Sequence, residues 1–286
     1  MCHCIAGEAD LHLPVSHLVH ALLARCCAVA LVAAAVSAAG PRDVLSRAKQ
    51  LYNSGEYDAA IDAARRAAAT PDVSVAAQLV LARAYLERFR QNSDDEDLIA
   101  AREALKQVRP SELSTDDRVE LVIALGESLY FDGHSGAAAE QFELSLAHIE
   151  RRQTARRERL LDWWATALDR EAQAASDGVA RSLQTRIVRR MEDELRNDAG
   201  STVASYWLAA AARGSGDIER AWDAAIAGWV RISQLGERAA VTRTELDALV
   251  TQAIIPDRAR VIAPTSPDGV AASMRSQWDA LKKAWS

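Results

Sequence analysis

Residues 125–147 read LGESLYFDGHSGAAAEQFELSLA. Small side chains fall at Gly126, Gly133, Ala138 and Ser145, and bulky ones at Leu129, Tyr130 and Phe142. The steps between the small positions are seven, five and seven residues. They recur at Ala48, Gly55, Ala60 and Ala67 in AKQLYNSGEYDAAIDAARRAA, and at Ala209, Gly216, Ala221 and Gly228 in AAAARGSGDIERAWDAAIAGW. Glycine is scarce, 13 residues in 286, so three glycines in one slot mark a repeat and not mere alanine richness. The pattern predicts two antiparallel helices joined by a turn at Gly55, Gly133 or Gly216. Glycine there adopts a backbone conformation costly for other residues. Small residues midway along each helix let the axes approach, and larger neighbours fill the space around the crossing.

Composition agrees with helices. Apolar residues are 49% and charged residues 26% of the chain, alanine dominates, and Val/Ile/Thr alternation is rare. The net charge of −6, with both signs interspersed, supplies no electrostatic reason for nucleic-acid binding.

The repeat resembles the tetratricopeptide repeat, a 34-residue helix–turn–helix unit. GEYDAAI at 55–61 is close to that family's turn and second-helix opening, with Tyr57 in the aromatic slot and Pro71 near the unit's end. Moving 34 residues on from Ala48 and Leu51 reaches Ala82 and Tyr85, after which RFRQNSDDED lengthens the second unit. A longer fourth pair, 155–176 and 178–197, lacks the small residues, and 201–233 recovers them. The resemblance implies an all-α, right-handed superhelical solenoid of antiparallel pairs. Its packing positions are Ala48, Gly55, Ala60, Ala67, Ala82, Gly126, Gly133, Ala138, Ala209, Gly216 and Ala221. The expected division is a leader at 1–38, regular units at 39–154, a divergent pair and one further unit at 155–235, and capping helices at 236–286.

Two capping boxes are expected, Ser93 with Glu96 and Thr242 with Glu245. Ser266 with Pro267 opens a last helix whose stripe of Val270, Met274, Trp278, Leu281 and Trp285 covers the terminal repeat. Val179, Leu183, Ile187, Met191 and Leu195 form a similar stripe.

At the N-terminus, CCAVALVAAAV (26–36) precedes Val36-Ser37-Ala38, a small-residue site for signal peptidase. The reading is an exported, periplasmic or envelope protein, cleaved after Ala38 or anchored by residues 21–39 if uncleaved. Only in the anchored case is a membrane a partner. Cleavage removes Cys2, Cys4, Cys26 and Cys27, the whole cysteine complement, and with them disulfides and thiolate metal ligands.

Motifs for chemistry are missing. There is no nucleophile elbow, phosphate loop or His-Glu-x-x-His pair, and His134 and His148 stand alone in the body of the chain. SDDEDL (93–98) lacks the alternation and central glycine of a calcium loop. The basic stretch RRQTARRER (151–159) is expected to be solvated. Trp163, Trp164, Trp207, Trp222 and Trp229 are read as bulky filler, with a ligand platform as the alternative. The expectation is a non-enzyme without cofactor or metal.

In the resembled family the first helix of each unit lines a concave groove. Its register implies groove positions at Lys49, Tyr52, Asn53, Arg83, Leu86, Glu87, Glu127, Tyr130 and Phe131. Leu45 stands where chaperone-binding members carry a clamp lysine, and Lys49 where they carry its asparagine, so that partner class does not transfer. The functional expectation is a scaffold that holds a peptide or helix of another protein. The alternative is an assembly subunit that self-associates, or docks to an envelope complex, through its tryptophan-rich C-terminal half.

Overall fold

The computed structural model describes residues 40–285 other than Arg152. The expected leader and its four cysteines lie outside the described residues. Among the described residues every regular element is a helix. The pairs are α1 (Pro41–Asn53) with α2 (Tyr57–Ala68), α3 (Ser74–Asn92) with α4 (Asp95–Lys106), and α5 (Thr115–Phe131) with α6 (Ser135–His148). They continue as α7 (Thr154–Ala174) with α8 (Asp177–Asn197), and α9 (Thr202–Gly214) with α10 (Ile218–Ser233). Then come α11 (Ala240–Leu249), α12 (Ile255–Ile262) and α13 (Pro267–Ala284).

The three glycine turns are built alike. Gly55, Gly133 and Gly216 have φ of 78°, 80° and 87°, the left-handed region. The next residue's N–H reaches back five positions: Glu56 to the Leu51 carbonyl, His134 to Leu129 and Asp217 to Ala212, at 3.0, 2.9 and 3.0 Å. That same residue's carbonyl accepts the N–H of Ala60, Ala138 or Ala221, opening the second helix. These three alanines are fully buried, so one position both starts the helix and lets it approach its partner. Ala48, Ala67, Ala82 and Ala209 are buried to 1% exposure or less.

Consecutive pairs stack because each odd-numbered helix packs on the next one, α1 on α3, then α5, α7, α9 and α11. The result is an all-helical solenoid whose odd helices form a continuous layer. Two core clusters meet at α5, which sends Leu121 and Ala124 toward α1–α4 and Ile123 toward the later helices. In the pair α7–α8 the small crossing residues give way to Trp164, Ile187 and Met191, all buried.

Several local expectations are corrected. Ser93 takes a left-handed conformation (φ 56°) that ends α3, and Asp94 caps α4 by accepting the Glu96 N–H. Thr242 and Glu245 lie inside α11, which begins at Ala240. Ser266 precedes α13, but its hydroxyl makes no cap bond. The helical run from α11 to α12 widens into a π turn at Val250–Ile254 just before Pro256, whose missing N–H removes one bond from the ladder. In α13, Met274 and Trp278 seal the end of the core while Trp285 is exposed. Val179 is also exposed, which shortens the α8 stripe at its start.

Candidate functional site

The odd-helix layer carries a charged and aromatic network assembled from four helices. At its centre is Glu120 of α5. Arg83 of α3 approaches its carboxylate at 2.6 Å, Arg156 of α7 at 2.6 Å through Nε, and Arg159 of α7 at 3.5 Å. Arg83 also donates to the Tyr52 hydroxyl (3.0 Å), and its guanidinium lies 4.2 Å from the Tyr52 ring centre. Burial works against the Arg83 charge, but Tyr52, Glu120 and Glu127 offset it and hold its pKa above the ordinary value. Burial pushes the Tyr52 phenol well above its usual range.

Glu127 of α5 is 3% exposed, and its Oε2 has no hydrogen-bond partner among the described residues. Burial raises its pKa to about 7; Glu87 adds to the rise, and Arg83 and Arg159 oppose it. Glu87 itself is buried and holds Arg90 at 2.7 Å.

Above this bed lies an open hollow of about 420 Å³. Glu87 and Arg90 of α3, Tyr130 and Phe131 of α5, and Arg159, Asp162, Trp163 and Thr166 of α7 line it. Trp163 meets Tyr130 and Phe131 edge-on, with ring centres 5.3 and 5.7 Å apart. Asp162 accepts the Trp207 indole N–H at 2.8 Å; desolvation raises its carboxyl pKa, and the indole pulls it down. Further along the layer, Tyr206 of α9 has its phenol pKa raised by burial and then by Glu245, Asp162 and Asp169, with no basic side chain opposing them among the described residues.

Of the positions implied by the register, the structure brings Glu87, Tyr130 and Phe131 to the hollow. Tyr52, Arg83, Leu86 and Glu127 are not open to a partner: the first two and Glu127 form the bed, and Leu86 joins the core. Lys49 is tied to Asp117 of α5 at 2.8 Å, and Asn53 is exposed at the end of α1. Burial exceeds the expectation because side chains of adjacent odd helices close over these positions, as Arg83 does over the Tyr52 ring.

Sequence reasoning missed Glu120, Asp162 and Thr166, took Arg156 and Arg159 only as part of a solvated basic stretch, and read Trp163 as filler with a ligand platform as the alternative. The register was not carried into α7, whose crossing lacks the small residues that anchored it elsewhere. The basic stretch at 151–159 is accordingly corrected. Arg156 is spent on Glu120, and Arg157 grips Glu194 of α8 at 2.8 and 2.5 Å, so the stretch braces helices as well as meeting water. Trp164, Trp207, Trp222 and Trp229 are buried in packing, and only Trp163 of these five faces the hollow. His134 and His148 stand exposed at opposite ends of α6. No protein-family model matches the chain, and no curated protein is detectably similar to it.

Proposed function

We propose that the protein is a non-enzymatic adaptor of the tetratricopeptide-repeat kind, which holds a peptide or helix of another protein on its odd-helix layer. The observation that carries this reading is the hollow itself. Three successive odd helices contribute to it, and its walls mix ring faces with carboxylates and guanidiniums, the composition of a contact surface more than of a reaction centre. The repeated turn geometry and its buried alanines support the kinship, and stacked helical repeats serve many partners, so the site and not the fold must choose among them. With the leader at 1–38, the adaptor works in the periplasm or cell envelope; no helix among the described residues is long and apolar enough to cross a membrane. The alternative, assembly through the tryptophan-rich half, is weakened because Trp222 and Trp229 each pack against Trp278 inside the chain, with ring centres 6.2 and 5.3 Å from it.

Photo-cross-linkers placed at Arg90 and Thr166 test the proposal, with Val179 on α8 as control. Partner capture from the hollow positions and none from the control is the expected result. Equal capture from both, or none from the hollow, would sink it.

A further inference from the structure

We infer that the hollow receives a lysine or arginine side chain of the bound segment, laid on the Trp163 indole beside Asp162; this rests on the peptide-binding reading above. Three observations converge on a cationic guest. First, the chain repeatedly seats arginines over its own rings: Arg83 on Tyr52 at 4.2 Å, Arg170 on Tyr130 at 4.9 Å, Arg258 on Trp222 at 5.4 Å. Trp163, one of three rings lining the hollow and itself stacked on Phe142 with ring centres 5.8 Å apart, carries no such cation among the described residues, although indole is the best of the aromatic platforms. Second, Asp162 meets the Trp207 indole but no basic side chain among the described residues, and the carboxylates Asp169 and Glu245 continue the same sign along the layer. Third, Glu127 is almost wholly buried within electrostatic reach of Glu87 and Arg159, which line the hollow, and its Oε2 is unpartnered among the described residues.

The guanidiniums at the rim are already engaged. Arg90 holds Glu87, and Arg159 leans on Glu120 at 3.5 Å, so an acidic guest must strip them from carboxylates. The groups facing Glu127 are Tyr52 from α1, Arg83, Glu87 and Arg90 from α3, Glu120 from its own helix and Arg159 from α7. When Glu127 loses its proton near pH 7, it adds one negative charge under the guest. Affinity for a cationic peptide therefore rises between pH 6 and pH 8.

The test uses the purified protein on an array of random 12-residue peptides. The best binder is then remeasured in solution with its central Lys or Arg replaced by norleucine, against the wild type and Asp162→Asn. Asparagine keeps an oxygen for the Trp207 indole, so the variant retains the packing; circular dichroism checks this. Expected are enrichment of Lys or Arg among bound peptides and a loss of about threefold to fivefold on Asp162→Asn for the cationic peptide, with none for its norleucine form. Binding that favours acidic peptides, or ignores Asp162→Asn, overturns the cationic guest and leaves the peptide-binding reading standing. Failure of every peptide to bind overturns both.

Discussion

The ring of Phe142 on α6 lies against the backbone of Gly126 on α5, so that a Cβ built on Gly126 would stand 2.5 Å from the ring. In a free helix, replacing glycine by alanine gains roughly 1 kcal/mol. Here the methyl group must displace a fully buried ring. We expect Gly126→Ala to destabilise the protein by about 1–3 kcal/mol in urea unfolding, the usual cost of overpacking. Gly126→Ala with Phe142→Leu should recover part of it; no recovery would mean that the ring is not the obstacle.

The turn glycines act differently. A Cβ on Gly133 meets nothing within 4 Å, so any cost of Gly133→Ala comes from its φ of 80° alone. About 1 kcal/mol of destabilisation is expected. Gly55→Ala and Gly216→Ala, at the equivalent turn positions, should match it closely. A stabilising outcome at any of the three would contradict the left-handed turn.

Glu127 ties stability to pH. Its pKa is raised from 4.5 to about 7, so within that window the folded chain holds a proton that the unfolded chain has released. Folding therefore binds protons there, and stability falls as pH rises across the window, by up to about 3 kcal/mol, then levels off. Glu127→Gln should flatten this slope, leaving the variant more stable than wild type at pH 8 and comparable at pH 5. Parallel melting curves for the two proteins from pH 5 to 8 would refute the assignment.

Glu158 of α7 caps α9 from outside, accepting from Val203 N–H at 3.0 Å and Thr202 Oγ1 at 3.1 Å, and from the Ser201 hydroxyl. Glu158→Ala strands these donors and is expected to cost about 1–2 kcal/mol. Hydrogen exchange should quicken at Val203 before it does elsewhere in α9. Uniform quickening across the chain would point to a global effect in place of a lost cap.

The helix pairs, their glycine turns and their buried alanines could be read from residues 48–67, 126–145 and 209–228, because turn chemistry and close axial approach act within a few residues of each other. A glycine needing positive φ, and an alanine five residues later needing no space, leave their mark in the letters whatever lies across the fold. The charged bed could not be read this way. Glu120 meets Arg83, Arg156 and Arg159 from 36 to 39 positions away in the chain, and which of several acids meets them depends on the rotation of α5 between α3 and α7. Nor could sequence tell that Tyr52 and Glu127 would sink below the surface while Asp162 and Trp163 rose to it, since burial follows from how neighbouring pairs stack. Local periodicity thus determined the units, while the choice of which side chains face the hollow belonged to tertiary packing, where desolvation and charge pairing between distant helices decide.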